Sequence, residues 1–492
     1  MELIIPSINF SAIYPEIILT VFALTILMLQ AFAPSRSKGY FAYFSLMGIG
    51  IAAAILIYMP SAFDLKFVEN SFSGMWVVDN YSRFFKLIFL LGSGLTILIS
   101  VNYVVDEGIQ SGEYFALILF STLGMMIMAS GADLVVIFLG LELMSISLYV
   151  LAGSTRSRMI SNESALKYFL LGSFATGFLL YGIALLYGAT GTTGIKGLSE
   201  VVSKTGLQGH IELIGMSLLV IGFGFKIASV PFHMWTPDVY QGAPAPITAF
   251  MSAGPKAAAF AAFARVFILA LPSLQSEWMA LIWILAFLTM TVGNIIALVQ
   301  DNIKRMLAYS SIAHTGYILV AFLAAGELGI PSILYYLLAY TLMNIGVFAL
   351  ITVLGGKGEE RIAVQDFSGI GYKHPIAAIA MCLFLFSLAG IPPTAGFMGK
   401  FYIFSAAIKE GYLGLAIIGV INSVISVYYY LRITVVMYMK ESETVKPIGM
   451  PTVIFSPAIV VAIIISAYGV LRLGLFPSEY IAIVKQSFLA LQ

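Results

Sequence analysis

Apolar runs of about twenty residues, divided by short polar stretches, recur along the whole chain of 492 residues. At about 1.5 Å of rise per residue, such a run crosses the hydrocarbon core of a bilayer as an α-helix. A helix also satisfies its own backbone groups where no water is present. Hydropathy predicts an all-α, polytopic membrane protein with about fourteen spans. They lie near 13–33, 40–59, 81–103, 113–130, 133–152, 163–187, 211–241, 244–270, 278–299, 303–325, 331–354, 375–408, 413–437 and 453–475. Two stretches are too long for a simple span. The stretch 211–241 holds Pro231 and Pro237, and 375–408 holds "GIPPTAGFMGK" with Pro392 and Pro393. Proline lacks the N–H a helix needs and clashes with the preceding turn, so both are predicted to be discontinuous helices.

The two interrupted spans are five apart in the count, so they enter from opposite sides, as in an inverted-topology repeat. The pattern divides the chain into a three-helix segment at 1–112, a five-helix repeat at 113–270, an inverted five-helix repeat at 278–437, and a C-terminal helix and tail at 438–492. "LELMSISLYVLAG" in the fifth span has a loose counterpart in "SSIAHTGYILVAF" in the tenth. One set of alternate loops carries Arg36, Lys38, Arg156, Arg158, Lys304, Arg305, Lys357, Arg361, Lys373, Lys440 and Lys446; the other carries Lys66, Lys196, Lys204, Lys409 and Lys485. The excess places the first set in the cytoplasm and both termini outside. The "AFAPS" stretch resembles a signal-peptide cleavage site. The leading segment, however, carries Glu2 and Glu16, has no basic residue and has a long apolar run, so it reads as the first span.

Against this apolar background a few ionisable residues fall deep within spans: Glu142, Lys226, Lys256 and Lys400, with His314 as the one deep histidine and Lys167 one turn inside its span. Each midplane charge costs about 3 kcal/mol on insertion scales, so four cost roughly 12, comparable to a domain's whole net stability. Several bland readings stand beside a functional one. Lys167 follows Glu163 at i+4, as a helix-face pair would. His314 fits a core histidine bonded to a hydroxyl, and Glu142 with one lysine fits a structural ion pair. Arg83, Lys86 and Arg265 lie at outer helix ends, where they are expected to snorkel. Three separate deep lysines, however, exceed what one deep carboxylate can neutralise.

The remaining composition narrows the classes. The chain is 60% hydrophobic, 10% charged and carries a net charge of +1, with no basic tail, which leaves no nucleic-acid partner and makes the lipid bilayer its medium. Its single cysteine, Cys382, can neither ligate an iron–sulfur cluster nor form an internal disulfide, and no CxxCH or GxGxxG occurs. No cofactor or metal is therefore expected on this chain, and electron chemistry belongs to partners.

Amines and an imidazole at intervals across the midplane can hand protons along, and lysine suits the task because its pKa moves readily on burial whereas arginine stays charged. Moving one proton against roughly 150 mV takes about 3.5 kcal/mol. A carboxylate brought within about 6 Å of a lysine, at an effective dielectric of about 20, is worth roughly 2.8 kcal/mol. Making and breaking a Glu142–Lys226 contact has the right size to load and unload the lysine, and the break beside Lys226 is expected to admit water.

The stretch "GFGFKIASVPFHMWTPDVYQGAPAPITAFMSAGPKAAAF" (222–260) resembles the core signature of the antiporter-like subunits of respiratory complex I, NADH–quinone oxidoreductase, which are also similar to Mrp-type antiporter subunits. "SAGPKAAAF" with Lys256, "AGIPPTAGFMGKFYIF" with Lys400, and an end soon after the last span make it more similar to the N-type group (the mitochondrial subunit-2 relatives) than to the L or M types. "FLGLELMSISLYVLAG" matches the family glutamate at Glu142, and "SIAHTG" the family histidine at His314. The resemblance covers nearly the whole chain. It implies a proton-translocating subunit of a membrane arm in a bacterial-type plasma membrane, beside an antiporter-like M subunit and small helical subunits. FMN, iron–sulfur clusters and quinone would lie on partner chains. It also implies Lys226 paired with Glu142, relays at Lys256 and His314, and Lys400 facing the exit. An Mrp-type Na+/H+ antiporter subunit, a related complex using ferredoxin or a reduced deazaflavin as donor, and a scaffold with vestigial charges remain the alternative readings.

Overall fold

The structure is a computed structural model that describes residues 9–32, 39–58, 71–109, 111–205, 210–359, 361–440 and 455–489. Glu2, Arg36, Lys38, Lys66 and Lys446 lie outside the described residues. The helices in chain order are α1 (Tyr14–Phe32), α2 (Tyr40–Tyr58), α3 (Asn80–Asp106), α4 (Ser111–Ser130), α5 (Leu134–Ala152), α6 (Met159–Thr190), α7 (Ile195–Thr205), α8 (Ile211–Ile227), α9 (Trp235–Gly242), α10 (Ala245–Ala264), α11 (Gln275–Leu298), α12 (Ile303–Leu323), α13 (Gly329–Leu354), α14 (Ile370–Lys373), α15 (Pro375–Ala389), α16 (Ala395–Lys409), α17 (Leu413–Met439), α18 (Pro457–Leu475) and α19 (Pro477–Leu489). Among the described residues, 12 helices are long and apolar enough to cross a membrane. The two proline-bearing stretches are broken as expected, into α8 with α9 and α15 with α16. The chain is a polytopic all-α membrane protein.

Helix starts follow from the sequence. Asp79 accepts the Ser82 N–H at 2.6 Å, Asp133 the Val135 N–H at 2.8 Å, and Asn302 the N–H groups of Lys304 and Arg305 at 2.9 and 3.1 Å. Each short polar side chain satisfies donors that the first helical turn leaves open, beginning α3, α5 and α12 at the edge of the apolar run. The segment between α6 and α8, read above as a loop, contains the amphipathic α7. It buries Ile195, Leu198 and Val202 and turns Lys196 and Lys204 outward.

Every residue of α10 is buried, and α12 and α13 are buried along almost their whole length. These three form the centre of the bundle, while α2, α6 and α17 present large apolar side chains outward. Several helices touch backbone to backbone, among them two pairs five spans apart in the count. A Cβ on Gly124 of α4 would lie 2.5 Å from the Gly140 carbonyl oxygen of α5, and one on Gly316 of α12 would lie 2.5 Å from the Met290 nitrogen of α11. Small residues permit this approach, which in a membrane replaces the hydrophobic drive between helices.

The expectation of snorkelling ends is corrected at two positions. Lys86 is 1% exposed and paired with Glu16 at 2.8 Å, under the Trp76 ring. Arg265 is 3% exposed and paired with Asp79 at 2.9 Å. Both side chains are short of water because neighbouring segments close over the helix ends, so each charge finds a carboxylate instead. Lys304, counted above as a loop charge, is buried and bonded to Glu359 at 2.7 Å, with Arg158 3.6 Å from the same oxygen. Glu142 is thus not the sole interior carboxylate: Glu16 and Glu359 are buried too.

A buried row of amines and hydroxyls

Lys226 occupies the last turn of α8, which ends on Ala228 in the left-handed conformation at φ 59°. For a non-glycine residue that conformation costs about 1–2 kcal/mol. The Lys226 ammonium does not touch the break. It reaches across to α5, donating to Ser145 Oγ at 2.8 Å and Tyr149 OH at 3.4 Å. Glu142 lies on the same face of α5, one turn before Ser145, with its Oε1 buried and without a hydrogen-bond partner among the described residues. No ion pair within 4.0 Å joins Glu142 to Lys226, although the Glu142 charge acts on the ammonium through space.

The carbonyls freed at this break are met by neutral protein donors. Trp235 Nε1 donates to Phe225 O at 3.0 Å, Thr315 Oγ1 to Ile227 O at 2.7 Å, and Ser229 Oγ to Gly224 O at 3.2 Å. The Val230 N–H donates to Thr289 Oγ1 at 2.9 Å. Several backbone groups at the break thus have protein partners, while His233 Nδ1 and Thr236 Oγ1 beside it are buried without one among the described residues.

Thr315 also donates to Ser311 O at 3.2 Å, and Ser311 in turn holds Lys256 of α10. The Lys256 ammonium donates to Ser311 O at 2.7 Å and to Ser311 Oγ, and sits 5.6 Å from the centre of the Tyr340 ring. One turn along α12, His314 bonds Tyr336 OH through Nδ1 and Tyr430 OH through Nε2, the latter at 3.0 Å. A neutral imidazole donates from one nitrogen and accepts at the other, so it bridges two hydroxyls in either tautomer. The bland and the functional readings of His314 are the same geometry.

Lys400 of α16 reaches back over the second break. Its ammonium donates to Leu388 O and Ala389 O, each at 3.0 Å, and to Ser423 Oγ at 2.9 Å. These carbonyls end α15, where the helix dipole favours a cation. Lys400 lies 5.1 Å from the centre of the Tyr317 ring and lines a cavity of about 410 Å³ with Gly390, Phe397, Phe404 and Ser423. Tyr317 OH accepts from Asn294 Nδ2 at 3.0 Å, and Tyr429 OH donates to Asn294 Oδ1 at 2.9 Å.

Lys167 stands apart from this row. It lies between Glu163 and Asp238, each at 2.7 Å, and its side chain is 41% exposed. The residues that sequence reasoning missed are the connectors Ser145, Ser311, Tyr317, Tyr336, Tyr430 and Asn294. One signal was available: "YYLLAY" and "VYYYLR" put tyrosines in mid-span, whereas membrane tyrosines gather at interfaces.

The lysines of this protein divide by their partners. Lys86 and Lys304 each face a carboxylate, as does Arg265. Lys226, Lys256 and Lys400 hydrogen-bond to hydroxyls and carbonyls and lie over aromatic rings, with no carboxylate within 4.0 Å among the described residues. A hydroxyl accepts from an ammonium or donates to an amine, so such partners serve both protonation states, which a carboxylate does not.

The profile described as NADH:quinone oxidoreductase/Mrp antiporter, TM matches residues 131–426. The chain is 53% identical over 485 residues to NADH-quinone oxidoreductase subunit N of Trichlorobacter lovleyi, covering 98% of this chain and 97% of that one. Among solved structures, a chain of respiratory complex I from Thermus thermophilus with bound aureothin superimposes with a TM-score of 0.78 at 34% identity, covering 95% of this chain and 98% of that one. A chain of the membrane-bound sulfane sulfur reductase, an archaeal respiratory membrane complex, has a TM-score of 0.87 at 24% identity over 98% of both chains, a likeness of fold alone. From its matched core to its nearly full-length relatives, this chain belongs to the NADH:quinone oxidoreductase/Mrp antiporter transmembrane family, in the group of NADH-quinone oxidoreductase subunit N.

Proposed function

We propose that this chain is a membrane-arm subunit of a proton-pumping NADH–quinone oxidoreductase and that it translocates protons along Lys226, Lys256, His314 and Lys400, with Glu142 modulating Lys226. Redox chemistry takes place on partner subunits that carry FMN, iron–sulfur clusters and quinone, and this chain packs against the other membrane-arm subunits. The segments 113–270 and 278–437 act as inverted repeats, with both termini on the outer side. The two interrupted helices and the corresponding glycine contacts at Gly124 and Gly316 support that arrangement.

The observation that carries the reading is the split among the buried cations. Those that hold the bundle together have carboxylate partners, and those in the row have neutral ones. Burying an unpaired ammonium is expensive, and a purely structural role has no use for three of them. Ser311 holds Lys256, and one turn along α12 His314, Tyr430 and Ser310 are bonded in series; each of these side chains both donates and accepts, which supports a hand-off of protons along the row.

The test is Lys226→Ala in the assembled complex, in membrane vesicles oxidising NADH with a quinone acceptor. Protons moved per electron fall while electron transfer and assembly persist. Lys226→Arg fails in the same way, because arginine does not release its proton. An unchanged proton-to-electron ratio in Lys226→Ala would overturn the proposal.

A further inference from the structure

The second half of the first broken span, α9, is only eight residues long. A helix that short has no stability of its own, so its position is set by what holds it. Four side-chain contacts along it stand out. Asp238, in the middle of α9, bonds Lys167 of α6 through Oδ2 at 2.7 Å and Arg305 of α12 through Oδ1 at 2.6 Å. Arg305 Nη1 also donates to Gln241 Oε1 at 2.9 Å, one turn further along α9. At the start of α9 the Trp235 ring stacks on Tyr168, with centroids 4.6 Å apart and planes 8° from parallel. Tyr168 is the neighbour of Lys167, so adjacent residues of α6 hold α9 by charge and by stacking.

The held half-helix is tied directly to the lysine of the break. Trp235 Nε1 donates to the carbonyl of Phe225, the residue before Lys226, at 3.0 Å. On the other side, Tyr168 meets Tyr149 edge-on at 4.8 Å, and Tyr149 OH is one of the two acceptors of the Lys226 ammonium. Lys167, which has two carboxylate partners like the structural cations and no contact with the row, is thus mechanically connected to Lys226 by two routes.

We infer that Lys167, Asp238 and Arg305 form an ionic latch that seats α9 and, through Trp235 and Tyr168, fixes where Lys226 rests between Ser145 and Tyr149. Lys167 and Asp238 are positioning residues for the proton path and carry no protons themselves. The inference rests on the proposed function, because a latch on Lys226 matters only if Lys226 carries protons.

The experiment compares Lys167→Met, Lys167→Arg and Asp238→Asn in the assembled complex, with protons moved per electron measured in vesicles and Lys226→Ala run beside them. Lys167→Met and Asp238→Asn lower the ratio toward that of Lys226→Ala, while Lys167→Arg recovers most of it, since arginine keeps the charge and the bond to Asp238. Should Asp238→Asn prevent assembly, Trp235→Phe takes its place: it keeps the stacking and removes only the bond to Phe225 O, and the same partial loss is expected. A ratio in Lys167→Arg as low as in Lys167→Met overturns the latch and makes Lys167 a proton carrier. A normal ratio in Asp238→Asn or its substitute, with Lys226→Ala defective, overturns the latch alone. A normal ratio in Lys226→Ala removes the underlying reading and the latch with it.

Discussion

At the first break the lysine lies upstream and turns away; at the second it lies downstream and reaches back. Lys226 leaves the ends of α8 to Trp235, Thr315 and Ser229 and spends its own donors on α5. Lys400 itself donates to the last two carbonyls of α15, with Ser423 Oγ adding a longer bond to Ala389 O at 3.5 Å. The residues that end the two helices differ to match. α8 ends on Ala228, held in a conformation that glycine would adopt freely, and α15 ends on Gly390 at φ 85°. On the proposed function, a lysine that is also a helix cap must satisfy backbone and proton traffic together. One that is not can change partners without loosening the helix it sits on.

The largest effect expected from this contrast is at Lys400. Lys400→Ala orphans the buried Leu388 carbonyl, at about 1–3 kcal/mol, and leaves the Ala389 carbonyl only Ser423 Oγ at 3.5 Å, so both pumping and the stability of the assembled complex fall, whereas Lys226→Ala loses pumping alone. Native gels and thermal inactivation of the two variants, measured together, check this. If Lys400→Ala assembles and survives heating as well as Lys226→Ala does, the two breaks are alike and the distinction collapses.

Next is the carboxylate that anchors the far side of the first break. Glu359 accepts the Ala245 N–H at 2.6 Å, capping α10 from a distant loop, and holds Lys304, which donates to Ala243 O at 2.6 Å. Glu359→Gln leaves Lys304 buried without its counter-charge and is expected to destabilise by about 3–5 kcal/mol. Burial alone would raise the Glu359 pKa, but the Lys304 charge and hydrogen bond, the Arg158 charge and the Ala245 N–H outweigh it and hold the carboxyl below the usual carboxylate range. A depressed value means that its stabilisation is present above the unfolded-state pKa of about 4.3 and is lost as pH falls through the folded value. Thermal inactivation followed from pH 7 downward therefore steepens in the native protein, and that component is absent in Glu359→Gln.

Smaller effects come from exchanging the residues that end the helices. Gly390→Ala places a Cβ 3.0 Å from Lys400 Cδ in a left-handed conformation, a strain of about 1–2 kcal/mol that also displaces the lysine. Ala228→Gly relieves the same strain at the first break and is expected to stabilise by about 1 kcal/mol at most, since glycine loses more freedom on folding. Inactivation half-lives that move in opposite directions confirm the contrast.

What could be read from the sequence was what depends on one segment at a time. Prolines at 231 and 392–393 broke the helices where they stood, and Lys226, Lys256, His314 and Lys400 announced themselves as charges and an imidazole amid apolar runs. What could not be read depends on which segments meet. Tyr103 OH donates to Glu359 Oε1 across 256 positions of chain, and nothing local distinguishes Glu359 from the other acids of its loop. Lys86 and Arg265 looked able to reach water because hydropathy has no knowledge of the segments that close over them. Asp238 was hidden by its place beside Pro237, where a loop acid is unremarked, although it holds an entire half-helix. The tyrosines were legible as residues and illegible as connectors, since their partners lie on α10, α11, α12 and α17.

The seam between α4 and α5 runs past Glu142, and that between α11 and α12 runs past His314, each with peptide groups in contact where glycine leaves no side chain between them. A file of water needs several ångströms of clearance, and backbones in van der Waals contact leave none. If the row carries protons as proposed, these seams insulate it. A membrane holding roughly 150 mV drives protons through any continuous wet path, at about 2.3 kcal/mol per 100 mV for each charge. A conductor built beside dry, tightly sutured walls loses little of that to short circuit, and a larger residue at Gly140 or Gly316 would make the protein a leak before it made it a weaker pump.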